Sequence, residues 1–247
     1  MAHQIKLAIF DIDGTIFRSS LLIELLYGLV EHGIYPKKVL KEISKEHIAW
    51  MDRSADYGGY ISQVVEVFLR YLPGVTEQDF LATTRHVLKK HKARTYRYTR
   101  DLIQQLKREG YYLVAISHSP QMIVSEYCKQ LGFSKSFGRL YELENGEYTG
   151  RRFNGKIFDF NASLPSKQEI IRSFLKNQLG KFDLKNSIAV GDTESDIPML
   201  ELVGRPIAFN PSSLLAVHAK KRKWKIVVER KDVVYELHDT KFLRLGP

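Results

Sequence analysis

The sequence predicts an α/β fold: a doubly wound, mostly parallel sheet core with an all-helical cap inserted after the first strand. Three observations carry this prediction. Ile5-Lys6-Leu7-Ala8-Ile9-Phe10 is a mostly apolar run that stops at Asp11-Ile12-Asp13-Gly14, which reads as a strand buried on both faces with its carboxyl end at Asp11. From about Arg18 to Tyr96 no strand pattern occurs, only helical ones. Beyond Thr99, short apolar runs alternate with amphipathic segments, as parallel βαβ units require. The expected division is therefore an α/β core from residues 1–17 and 97–247 and a helical cap domain from residues 18–96.

Within the cap the expected helices are Ser20–Glu31, Pro36–Met51 with proline in its first turn, Tyr57–Tyr71 and Thr76–Lys90. Thr76-Glu77-Gln78-Asp79 has the form of a capping box, and breaks are expected at Gly33, at Gly58-Gly59 or shortly before, and at Pro73-Gly74. In the core, Thr99–Arg108 is a helix, Tyr111–Ser117 a strand and Gln121–Leu131 a helix ending at Gly132. Phe137–Tyr148 reads as a hairpin turning at Asn145-Gly146. Then follow helix Gln168–Leu179, strand Ser187–Val190, helix Ile197–Val203, strand Pro206–Phe209, helix Ser213–Lys221 and a last strand, Lys225–Val228. The cap aromatics Tyr57, Tyr60 and Phe68 read as core residues.

The chain has 247 residues with 38 Lys+Arg against 28 Asp+Glu, a formal charge of +10. That surplus invites an anionic partner: nucleic acid, acidic lipid or a phosphorylated substrate. It is divided between +5 in residues 18–100 and +5 in residues 215–247. No helix-turn-helix, zinc finger or interleaved basic and aromatic strand pattern accompanies it, which argues against a nucleic-acid module. The single cysteine, Cys128, cannot close an intramolecular disulfide, and no apolar run approaches a membrane span. A cytoplasmic location, without membrane association, is the expectation.

Three of the predicted strands end in polar residues: Asp11 and Asp13, then Ser117, then Asp192 with Asp196. In open α/β sheets ligands bind beyond the carboxyl ends of the strands. Four carboxylates in one crevice repel each other unless a cation neutralises them, and hard oxygen donors suit Mg²⁺. The histidines and Cys128 form no zinc pattern. Gly14 permits a tight turn and exposes N–H groups to an anion, and Lys167, opening a helix after Pro165-Ser166, offers a charge for a phosphoryl group. Lys156 also lies between the second and fourth of these segments, so the lysine has two candidates, of which the helix start favours Lys167.

Taken in order, DIDGT at 11–15, Ser117 ending an apolar strand, Lys167 and GDTESD at 191–196 resemble the four motifs of the haloacid dehalogenase superfamily of aspartate-nucleophile phosphohydrolases. Its phosphoserine-phosphatase-like branch is resembled further in the helical cap, the Ser-His-Ser-Pro run at 117–120 and the ENGEYTG segment. The resemblance implies a Rossmann-like core and a phosphatase in which Asp11 attacks phosphorus to form an aspartyl-phosphate and Asp13 serves as general acid and base. It implies Mg²⁺ held by Asp11, the backbone carbonyl of Asp13 and Asp192, with Asp196 in the outer shell. It also implies phosphate held by Ser117 and by the N–H groups of Gly14 and His118, with Lys167 offsetting charge.

The substrate this implies is a small phosphorylated metabolite. Relatives that cleave phosphoserine carry an acidic residue early in the cap, where this chain has Arg18-Ser19-Ser20. Glu24 lies one helical turn on, and Arg53 and Arg70 are the arginines available for a carboxylate. Phosphoserine is therefore not the expected substrate. A phosphotransferase using the same aspartyl-phosphate is the alternative activity.

Overall fold

A computed structural model describes residues 4–152, 166–178 and 181–237. Its centre is strand β1 (Leu7–Asp11), every residue of which is buried. Four helices follow: α1 (Leu21–Glu31), α2 (Lys38–Met51), α3 (Tyr57–Tyr71) and α4 (Glu77–Lys90). The chain then returns through α5 (Arg97–Arg108) to β2 (Tyr112–Pro120), α6 (Gln121–Leu131) and β3 (Lys135–Arg139). A hairpin, β4 (Tyr141–Glu144) and β5 (Glu147–Arg152), precedes α7 (Lys167–Lys176). The remaining elements are β6 (Ile188–Gly191), α8 (Ile197–Leu200), β7 (Arg205–Phe209), α9 (Ser213–Lys221), β8 (Lys225–Arg230) and β9 (Val233–Leu237).

Seven strands form one sheet in the order β3-β2-β1-β6-β7-β8-β9, parallel except for the last pair. Strand order reverses at β1, whose neighbours are β2 on one side and β6 on the other. The crevice above that reversal is where an open sheet offers a ligand site. Successive side chains of β1 point to opposite faces. Leu7 and Ile9 join Ile171, Met199 and Leu200 on one face, and Ala8 and Phe10 join a second cluster on the other.

That second cluster runs without interruption from the sheet into the helices, through Leu21, Leu25 and Leu29 of α1 to Tyr35, Phe68 and Phe80. The i, i+4 spacing of the leucines gives α1 the apolar stripe that a packed helix needs. Two chain crossings join the layers, with Arg18 N–H on the Arg94 carbonyl at 3.0 Å and Tyr96 N–H on the Ile16 carbonyl at 2.9 Å. The β4–β5 hairpin belongs to the helical layer too: Tyr148 exchanges backbone hydrogen bonds with Gly74 and Val75, and its ring lies 4.9 Å from Phe80.

Two strand expectations are corrected. Phe137 is not part of the hairpin; it lies in β3, which pairs in parallel with β2, and its ring packs 5.8 Å from Phe174. The hairpin begins at Tyr141 and turns at Asn145 and Gly146, both in the left-handed region with φ of 52° and 84°. The last strand is not β8 but β9, which folds back antiparallel through Lys231, at φ 56°. No Gly, Asn or Pro marks that turn, so the usual signal was missing. Among the described residues no helix is long and apolar enough to cross a membrane.

Phe68 is fully buried and touches the rings of Tyr35, Phe80 and Tyr141. Phe68→Ala is expected to cost about 3–5 kcal/mol. Because the cluster is continuous, urea denaturation should show one displaced transition, and separate melting of the helical layer would contradict this reading.

Candidate active site

Asp11 ends β1 and is 3% exposed. Its register partner on β2 is Ile116, so Ser117 follows immediately in the adjacent strand, while Phe10 pairs with Val190 just before Gly191-Asp192. Parallel pairing therefore brings three motif segments, distant in sequence, to one level. Lys167 is the first residue of α7, whose first turn Ser166 and Glu169 fix through a reciprocal capping box.

The ammonium of Lys167 lies 2.5 Å from Asp11 Oδ1 and 2.5 Å from Asp196 Oδ1. The other oxygen of Asp196 accepts the backbone N–H groups of Asp192 and Thr193, each at 3.0 Å. Both Asp196 oxygens are thus engaged in holding the lysine and the loop. Thr15 Oγ1 bridges Asp11 Oδ2 at 3.2 Å and Asp192 Oδ1 at 3.1 Å. Gly14, at φ 82°, is required by this approach: a Cβ there would stand 2.1 Å from Asp192 Oδ2. At Gly191 a Cβ would fall 2.5 Å from Cβ of Asp196.

Asp13 points elsewhere. Its Oδ1 accepts the N–H of Leu21 at 2.6 Å, and its Oδ2 accepts the hydroxyls of Ser117 and, at 3.0 Å, Ser119. Ser119 Oγ in turn accepts the N–H of Leu22 at 3.1 Å. Ser20, the N-cap of α1, makes no side-chain cap bond. The first two N–H groups of α1 are therefore satisfied by Asp13 and Ser119, with the carboxylate at the positive end of the helix dipole.

Burial pushes the Asp11 carboxyl up to about 7; Lys167 opposes this, while Asp196 and Asp13 add to it. Asp192 is likewise raised, by burial first and then by Asp11 and Asp196. For Lys167 burial works against the charge, but Asp11 and Asp196 outweigh it and hold the ammonium above its usual range. One lysine does not neutralise these acids. Asp11, Asp192 and Asp196 each offer an oxygen within 4.8 Å of the others, a hard, anionic donor set that fits Mg²⁺. Since Asp196 is already committed, Asp11 and Asp192 are the carboxylates placed to touch a cation directly.

Of the residues expected from the sequence, Asp11, Asp192, Asp196 and Lys167 converge, with Asp13 and Ser117 beside them. The Asp13 side chain lies outside the acidic triad, held by serines and α1. The N–H of Gly14 does not face an anion site, because it donates to the carbonyls of Phe17 and Ser19 at 3.0 and 3.2 Å. His118 is exposed at its surface, yet desolvation together with Lys167 and Arg139 pushes its imidazole down to about 4. Lys156 lies outside the described residues. Glu24 is committed to Arg94, to His91 at 3.0 Å and to Ser19 at 2.9 Å. Arg70 pairs with Glu42 and Glu66, and Arg53 is exposed. Two participants were not singled out from the sequence: Thr15 and Ser119, although each stands inside a motif that was.

A model of the haloacid dehalogenase-like hydrolases matches residues 8–201. A phosphoserine phosphatase of Archaeoglobus fulgidus is 33% identical over 116 residues, 47% of this chain and 32% of that protein, so the match spans about a third of the relative's length. A solved structure of a protein with unknown function from Bordetella pertussis is similar at a TM-score of 0.71 and 20% identity, over 91% of this chain and 98% of that one. An apo phosphoserine phosphatase structure shares the fold at a TM-score of 0.60 and 20% identity, over 93% and 96% of the two chains.

The site predicts a pH-dependent response to cation. With its carboxyl raised from 3.8 to about 7, Asp11 binds a proton more tightly folded than unfolded, so metal-free stability falls as pH rises through that window. A cation must displace that proton. Mg²⁺ at a hundred times its dissociation constant is expected to add about 2.7 kcal/mol at pH 8 and distinctly less at pH 5.5. Thermal denaturation checks this, with Asp192→Asn expected to remove most of the gain.

Proposed function

The chain belongs to the haloacid dehalogenase-like hydrolase family, and from that premise we propose that it is a Mg²⁺-dependent phosphomonoester hydrolase of the phosphoserine-phosphatase-like branch that works through an aspartyl-phosphate on Asp11. The observation that carries this reading is the division of labour between the two aspartates of DIDGT. Asp11 is fixed by Lys167 and Thr15 beside Asp192, while Asp13 is held apart by Ser117, Ser119 and α1. One carboxylate is presented as a nucleophile and the other as a proton carrier.

Asp11 attacks phosphorus through one carboxylate oxygen; Oδ1 faces Lys167, and Oδ2 lies on the Thr15 and Asp192 side. Asp11 and Asp192, with the backbone carbonyl of Asp13, would hold Mg²⁺. When bound, the ion offsets the charge of Asp11 and of the phosphoryl oxygens, so that an anionic nucleophile and an anionic ester can approach. Lys167 adds its charge on the opposite side and keeps Asp11 oriented.

Asp13 gives its proton to the departing alcohol oxygen and later takes one from the water that hydrolyses the acyl phosphate. In the structure it accepts three hydrogen bonds, so acting as a donor requires one partner to turn away. Ser117 is the partner that can, because a hydroxyl rotates freely and a phosphate oxygen offers it an alternative acceptor. The substrate in this reading is a small phosphorylated metabolite. The lone, buried Cys128 supports placing the enzyme in the cytoplasm.

Asp11→Asn is expected to lower phosphate release on the order of 10³-fold or more while far-UV circular dichroism stays unchanged, because the swap is nearly isosteric but removes the nucleophile. A phosphate-release assay across phosphorylated metabolites, with and without Mg²⁺, is the measurement. Full activity in the variant would overturn the mechanism.

A further inference from the structure

Strand β2 ends in Ser117-His118-Ser119-Pro120. Ser117 and Ser119 both reach Asp13 Oδ2, so the two side chains leave β2 on the same side, as alternate residues of a strand do. That side belongs to α1, since Leu113 and Ala115 of β2 join the leucines of α1 in one cluster. Ser119 is 2% exposed there. Its hydroxyl oxygen accepts the N–H of Leu22 at 3.1 Å and donates to Asp13 Oδ2 at 3.0 Å, while its backbone N–H donates to Ser117 Oγ at 2.8 Å.

The two serines are not equivalent. Ser117 follows Ile116, the register partner of Asp11, and so lies beside the residue that receives the phosphoryl group. With its oxygen pinned by the Ser119 N–H, its proton alone can swing from Asp13 to a phosphate oxygen. Ser119 is turned to α1 instead. The Leu22 N–H takes up a lone pair of its oxygen, and its proton is aimed at Asp13. Once Ser117 has turned, two bonds still hold the Asp13 carboxyl: the Leu21 N–H on Oδ1 at 2.6 Å and the Ser119 hydroxyl on Oδ2. A carboxyl held by one oxygen can still rotate, whereas one held by both has its plane fixed.

We propose that Ser119 is a positioning residue for proton transfer: with the end of α1 it fixes the plane of the Asp13 carboxyl while the phosphoryl group moves from the alcohol to Asp11. The proposal rests on the phosphomonoesterase reading, with Asp13 as its acid, and adds a residue to the same site. In that step the bond from phosphorus to the alcohol oxygen breaks, a bond from Asp11 to phosphorus forms, and the Asp13 proton passes to the departing oxygen. Ser119 keeps its own proton. Loss of the Ser119 hydroxyl therefore falls on esters whose alcohol needs a proton to leave.

Propyl phosphate and p-nitrophenyl phosphate separate the cases, because propoxide is too basic to leave unprotonated and p-nitrophenolate is not. With Mg²⁺ present, kcat/KM for each is measured in the wild-type chain, Ser119→Ala, Asp13→Asn and the double variant. Asp13→Asn is expected to lower propyl phosphate relative to p-nitrophenyl phosphate by about 10²-fold or more, and Ser119→Ala by about tenfold. In the double variant Ser119→Ala should add nothing to the ratio, because it acts through Asp13. Leu29→Ala, which loosens α1 away from the site, should lower the melting temperature at least as far as Ser119→Ala yet leave the ratio unmoved. No loss or an equal loss on both esters in Ser119→Ala, a further fall in the double variant, or the same shift in Leu29→Ala overturns the positioning role while turnover leaves the phosphatase standing. A ratio that Asp13→Asn does not move, or a wild-type chain that releases phosphate from neither ester, overturns the underlying reading and this proposal with it.

Discussion

Lys167 sits between Asp11 and Asp196, 4% exposed, at 2.5 Å from each. Three separate segments depend on that one ammonium. It fixes the rotamer of Asp11 at the end of β1, and through Asp196 it fixes the loop after β6, whose Asp192 and Thr193 N–H groups hang on the same carboxylate. It also fixes where α7 begins, since the Ser166 capping box starts the helix at Lys167 itself. A buried charge pair is a poor source of net stability, because desolvation consumes most of the attraction. Its retention here makes better sense as positional control: removing any partner leaves a charge buried without compensation.

The second constraint is the docking of α1. A helix must satisfy its first N–H groups, and α1 does so on Asp13 and Ser119 instead of on its own cap residue. The consequence is mechanical. Asp13, the residue assigned to carry protons, is also the foot on which the first cap helix stands. A change of hydrogen bonding at Asp13 is therefore felt by α1, and through the leucines of α1 by the aromatic core of the cap.

How much of this was legible in the sequence can be argued residue by residue. The strand ending at Asp11 and the α/β alternation were legible because buried parallel strands read as apolar runs. The helices of the cap were legible within one or two residues, since Thr76 and the glycine and proline breaks punctuate them. β9 was not, because its turn at Lys231 uses no residue suited to left-handed backbone. In the site, spacing identified which residues meet but not how their hydrogens are shared. Gly14 was expected to lend its N–H; its contribution is instead the absence of a Cβ against Asp192. Tyr57 looked like its neighbour Tyr60 in sequence, and only the tertiary placement of α3's first turn separates an exposed ring from a buried one.

The +10 charge of the chain also takes on a different meaning. Part of the cap's positive charge is paired locally: Arg94 with Glu24, Arg70 with Glu42 and Glu66, Lys90 with Glu31. In the tail, Arg222 meets Glu201 and Lys225 meets Glu236. What remains acts at long range and is screened beyond about 8 Å at physiological salt. At the centre the balance has the opposite sign: among the described residues, Asp11, Asp13, Asp192 and Asp196 are set against Lys167. A phosphate group entering such a centre adds negative charge to negative charge. In the proposed reaction, surface lysines draw an anion toward the site and a cation seated among the carboxylates lets it reach Asp11, so that the global surplus and the local deficit would serve successive stages of the same encounter.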